Sequence, residues 1–185
     1  RELLKAGVKL GKKAPRDLRI EANRVVGADP RAAVLGLSEA VIAEPKDADG
    51  WLSLARALLS IKSDAYTGNE RYDVPLNASG AAYLAYERAT TPAQKATALN
   101  VLHEALKRRA QYRPAIDALK ASLAVQDVPA LRKVLDELQA QHGFRILDYK
   151  ADIEAAQPRV CVQFSERLQT GVSEFAKYFT VDGKD

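Results

Sequence analysis

The sequence predicts a mainly α fold: a superhelix of stacked α-α hairpins, followed by a short β segment. Three observations carry this. Small and large apolar residues recur at helical spacing with a period near ~34 residues. A proline falls between the helix-like stretches at the place where one helix must stop and the next begin. After Gly143 the apolar period changes from helical to alternating.

The repeat register begins at Ala33, Leu37 and Ala40, continues through Pro45, and resumes at Trp51, Leu54, Ala55 and Leu58. That is the helix-B, proline, helix-A order of a tetratricopeptide-like repeat, with Ala55 where the pattern has Gly and Leu58 where it has Tyr. The helix-B spacing returns at Ala82, Tyr86 and Ala89, and again at Ala115, Leu119 and Ser122. The offsets, 82 − 33 = 49 and 115 − 82 = 33, fit one period if about fifteen residues are inserted once. A second helix A at Leu99, Leu102, His103 and Leu106 lies 48 residues after Trp51 and requires the same insertion. Alanine at paired positions lets two helices approach closely, while Trp51, Leu54, Tyr86 and Leu119 fill the space between hairpins.

Boundary signals agree with this register. Thr91, Pro92 and Gln94 form a capping-box signature for a helix starting near residue 92. Asp127 is placed to cap a last helix beginning near Val128. Its Leu131, Val134, Leu135 and Leu138 fall on one face, and Gly143 is expected in the left-handed conformation at its end. The insertion is assigned to "SDAYTGNERYDVPLN", residues 63–77, read as a long loop rich in turn-forming residues. Two readings of it stand: Tyr66 and Tyr72 pack on the array as an elaboration, or Tyr66, Arg71 and Tyr72 form a binding loop.

Beyond residue 143 lie three β-prone runs, "FRILDYKAD", "RVCVQFSERL" and "FAKYFTVDG". In the middle run Val160, Val162 and Phe164 share one face, and Arg159, Cys161, Gln163 and Ser165 the other. Such runs suggest a partial immunoglobulin-like sandwich, for which residues 144–185 are too few against the ~100 that fold uses. The expected organisation is a basic junction helix over residues 1–13, helical repeats with a capping helix over 14–143, and the β segment over 144–185.

The composition is that of an ordinary soluble globular chain, with 47% hydrophobic and 28% charged residues. No run approaches the ~20 apolar residues of a membrane-spanning helix. The chain begins at Arg1 and contains no methionine, which predicts a processed or excised piece. Residues 1–24 carry eight cations (Arg1, Lys5, Lys9, Lys12, Lys13, Arg16, Arg19, Arg24) against Glu2, Asp17 and Glu21, a local charge of +5. No aromatic residue is interleaved, so this reads as a solvated helix face or a junction rather than a nucleic-acid stripe.

The sequence offers little for catalysis, and no cofactor, metal ion or enzymatic activity is expected. There is no paired-ligand spacing for zinc, no nucleophile elbow and no phosphate-cradling glycine loop. His103 stands where the repeat wants a small residue, which suggests a packed histidine near a hairpin contact. Cys161 alternates with valines and has no evident histidine partner. Asn77 begins a glycosylation-type triplet too short to carry weight.

Residues 142–168, "HGFRILDYKADIEAAQPRVCVQFSERL", resemble the start of the first macroglobulin-like domain in bacterial alpha-2-macroglobulin family proteins, and residues 78–125 look like the helical region preceding it in a subgroup. The resemblance spans about residues 30 to 183. It implies a non-catalytic scaffold and interaction segment of a protease-trapping inhibitor, periplasmic and membrane-anchored in its full-length form. Implied partners are other domains of the same inhibitor and target proteases. The thioester motif of some members is absent, since Cys161 is followed by Val-Gln-Phe. The alternative is a free-standing repeat adaptor that binds a peptide or partner subunit in its groove.

Overall fold

The structure, a computed structural model, describes residues 13–152 and 159–168. The chain forms two compact units, Arg1–Gly143 and Phe144–Asp185. The described part of the first unit contains seven helices: α1 (Pro15–Val25), α2 (Pro30–Ala43), α3 (Ala48–Ser60), α4 (Glu70–Arg88), α5 (Pro92–Arg108), α6 (Tyr112–Val125) and α7 (Pro129–His142). Most of the expected junction helix, residues 1–12, lies outside the described residues, as does the third β run, residues 175–183.

Each helix packs on the next, and α3 also touches α1 and α5, so α1, α3 and α5 form one layer of a tetratricopeptide-like superhelix. The burial pattern explains this arrangement. In α3, Gly50, Trp51, Leu52, Leu54, Ala55, Ala57, Leu58 and Leu59 are all buried, because helices surround it on several sides. At the ends, α1 buries Ala22 alone and α7 buries Leu138 alone. Ala33, Ala55, Ala82 and Ala115 are fully buried at helix contacts where a larger side chain would force the backbones apart.

Local chemistry starts and stops the helices. Asp29 accepts the Ala32 amide and Pro30 occupies the first helical position of α2. Thr91 and Gln94 make the expected capping box on α5. α5 ends in a Schellman motif, with Ala110 N–H donating to the Lys107 carbonyl and Gln111 N–H to that of Leu106, both at 3.0 Å. Its left-handed residue is Ala110, at φ 55°, where an alanine is strained and a glycine is not. Ala110→Gly is therefore expected to stabilise the protein by about 1 kcal/mol, seen as a higher urea midpoint with an unchanged slope.

Three expectations are corrected. Residues 63–77 are not one long loop: a short 3-10 turn, Ser63–Ala65, and four further residues lead into α4, whose first turns take up the rest. Ala82 lies 12 residues into α4, whereas Ala33 and Ala115 lie 3 into α2 and α6, so nine of the inserted residues are helix. Pro75 signalled a loop, since it cannot donate to the carbonyl four residues back. Burial of Val74, Pro75 and Ala78 outweighs that loss, and Glu70 and Asp73 favour the helix start electrostatically.

The second correction concerns α7, which begins without a side-chain cap; Asp127 pairs with Arg132 instead of capping. The third concerns Gly143, which is extended at φ −75° rather than left-handed. Glycine is required there by crowding, because a Cβ would run into the Gln139 carbonyl.

In the second unit, β1 (Ile146–Asp152) and β2 (Arg159–Phe164) pair antiparallel, with a register irregularity between Ile146 and Asp148. The irregularity brings Ile146 opposite Phe164 while Tyr149 faces Val162 and Ala151 faces Val160, so the apolar residues of both strands share one face despite the odd and even numbering. Phe144 stacks on Phe164 with ring centroids 5.2 Å apart. Cys161 is exposed on the opposite, polar face beside Lys150.

Candidate functional site

The repeat-packing residues fall in three groups. Ala33, Leu37 and Ala40 of α2, Trp51, Leu54, Ala55 and Leu58 of α3, Ala82 of α4, Leu99 and Leu106 of α5, and Ala115 and Leu119 of α6 are buried. Tyr86 and Leu102 are half-buried and packed against the core. Ala89 is the half-buried C-cap of α4, its N–H donating to the Tyr86 carbonyl.

The Trp51 indole donates to the Pro45 carbonyl at 2.9 Å. The Arg88 guanidinium also donates to that carbonyl, with its carbon 5.5 Å from the Trp51 ring centre. One carbonyl between α2 and α3 is thus held by side chains of α3 and α4, a link the repeat pattern alone does not reveal.

The insertion builds most of the wall of a polar cavity. Arg31 of α2 forms a two-pronged ion pair with Glu70, at 2.9 and 2.8 Å, and donates to the Ala65 carbonyl at 2.7 Å. Thr67 donates to Glu70 through its amide and hydroxyl. Arg31 and Thr67 hold the Glu70 carboxyl at a pKa of about 2. This fixes the turn, and Tyr66 packs half-buried against the core. Of the three binding-loop candidates, only Tyr66 lies in the loop; Arg71 and Tyr72 are exposed on the first turn of α4, with Arg71 5.4 Å from the Tyr72 ring centre. Tyr66 and Arg71, with Ser63 and Arg108, line a cavity of about 380 Å³.

Arg108, at the end of α5, was not legible as important in the sequence. It donates to the carbonyls of Leu59 (2.5 Å) and Ile61 (3.1 Å) and to the Tyr66 hydroxyl (3.2 Å). It therefore closes the C-terminal end of α3, where carbonyls otherwise lack partners. The same residue lines a second cleft of about 240 Å³ between α5 and α7, together with His103, Lys107, Leu131 and Val134. Arg108 thus borders both a polar compartment and a more apolar one.

His103 is almost fully buried and donates through Nδ1 to the Asn100 carbonyl at 2.5 Å. Burial pushes its pKa below 6.5, against the opposing pull of the Asn100 carbonyl and Glu104. The unfolded chain then takes up a proton near pH 6.5 that the folded chain resists, so stability falls as pH drops through 6.5 towards the lowered folded value. Urea midpoints between pH 7.5 and 5.5 are expected to decrease, and His103→Gln is expected to flatten the decline. Glu70, by contrast, loses its contribution only below the ordinary carboxylate range.

His142 stacks on Tyr112 with ring centroids 3.5 Å apart, so it has a packing role at the end of α7. Among the described residues, no group of three or more His, Cys, Asp or Glu is placed to hold a metal ion. Nor is any described helix long and apolar enough to cross a membrane.

No protein-family model and no curated protein matches the chain. Among solved structures, it is similar to the N-terminal domain of stress-induced protein-1 (STI-1) from C. elegans. The TM-score is 0.52 at 17% sequence identity, covering 69% of this chain and 99% of that one. At this identity the likeness concerns the fold: a tetratricopeptide-like stack of helix pairs.

Proposed function

We propose that this chain is a non-catalytic scaffold and protein-interaction segment, whose helical unit holds an extended stretch of a partner protein. The observation that carries the proposal is the pair of clefts that share Arg108 in their walls, one polar and one lined in part by Leu131 and Val134. Clefts with a few placed polar groups beside apolar walls suit peptide capture. The test is a cellulose-bound array of short peptides of mixed composition, probed with the full chain. Selective retention that is lost in Leu131→Asp is expected; uniform background retention contradicts the reading.

The finer reading places the segment in a bacterial alpha-2-macroglobulin-like protease-trapping inhibitor, in the periplasm and membrane-anchored in the full-length protein. Its partners are then neighbouring domains of that inhibitor and the target proteases. The β1–β2 pair supports this reading, since it lies where the resemblance expects the opening strands of a macroglobulin-like domain. A free-standing adaptor is the second reading, favoured by clefts lined entirely by the helical unit. Sequencing the gene beyond the codon for Asp185 separates the two. Further β domains are expected of the inhibitor, and a stop within a few dozen codons contradicts it.

A further inference from the structure

We infer that the two clefts flanking Arg108 select an acidic peptide: a partner segment that places an Asp or Glu carboxylate between Arg71 and Arg108 and an aliphatic side chain against Leu131 and Val134. This deepens the protein-interaction reading and rests on it. Arg71 and Arg108 both line the polar compartment. Among the described residues, no acidic side chain pairs with either. Glu70, next to Arg71 in sequence, is already taken by Arg31 and Thr67, and Glu104, one turn before Arg108 on α5, forms no ion pair with it. Arg108 spends three of its five N–H donors on Leu59, Ile61 and Tyr66, which fixes its guanidinium in place and leaves two donors without a partner among the described residues.

An arginine already held by other bonds binds a carboxylate with less loss of side-chain freedom than a mobile one. The hydroxyls of Ser63 and Tyr66 add neutral donors at the same wall. The second compartment contains one acid, Glu104, but Lys107 stands three residues further along the same helix face and offsets it. Net positive charge is thus concentrated at the Arg71 end, which fixes the polarity of the ligand: carboxylate at the α4 end, aliphatic side chain at the α7 end.

Peptides retained on the array are expected to be enriched in Asp or Glu within a few residues of Leu, Ile or Val. The best of them, labelled with fluorescein and titrated in solution, should bind about tenfold more tightly than its analogue with Gln and Asn in place of Glu and Asp. Arg71→Ala should abolish that ratio and Arg71→Lys should restore part of it. Arg71 is exposed, so its replacement leaves the fold intact, which circular dichroism checks. Peptides retained without acidic enrichment, or an acid-to-amide ratio unchanged in Arg71→Ala, overturn the inference while leaving the interaction reading standing. Retention of no peptide overturns both.

Discussion

Trp51→Ala is expected to destabilise the helical unit by about 3–5 kcal/mol, the range for deleting a buried large aromatic. Against a typical domain stability of about 5–15 kcal/mol, that is enough to leave the variant partly unfolded under mild warming. The indole is 8% exposed, packs among α3 neighbours, and shares the Pro45 carbonyl with Arg88. Trp51→Phe separates the two contributions. It keeps most of the apolar area and leaves Arg88 to satisfy Pro45, so its cost should be nearer the ~1 kcal/mol of a single hydrogen bond plus repacking. Urea titrations of both variants test this. Equal losses would mean that the hydrogen bond, not the packed ring, is the main contribution of Trp51.

Leu37→Ala and Leu119→Ala are each expected to cost about 2–5 kcal/mol, because both side chains are fully buried and their rigid surroundings cannot collapse onto the cavity. They sit on α2 and α6, with α3, α4 and α5 between them in the chain. In a stack where each hairpin leans chiefly on its neighbours, the two losses should add to within about 0.5 kcal/mol. A double variant whose loss departs from the sum by more than about 1 kcal/mol would indicate a core coupled along its whole length.

The helix pairs were legible because their signals are local and periodic: alanines at close contacts, a proline between helices, a capping box at Thr91. The strand pair was legible from the alternation of Val160, Val162 and Phe164. What the sequence concealed depends on tertiary contacts. Pro75 is a loop signal that burial of its ring and of Val74 turned into helix. Ala110 adopts a left-handed conformation that its residue type gives no reason to expect. Gly143 is glycine because of the Gln139 carbonyl rather than its own torsion angle. Tyr66 and Arg71 were read from the insertion, but their partner Arg108, 42 residues beyond Tyr66 and spaced by no motif, was invisible until the chain was folded. Leu131 and Val134 looked like capping-helix core and in fact border a cleft.

The account depends on helix pairs that shelter one another, with α3 and α5 in the middle and α1 and α7 at the ends. Hydrogen–deuterium exchange read by mass spectrometry tests this most directly. Amides of residues 51–60 and 96–106 should exchange only through opening of the whole unit, and those of residues 15–25 and 129–142 much sooner. If residues 51–60 exchange as fast as residues 15–25, the hairpins do not protect one another and the stacked core is wrong.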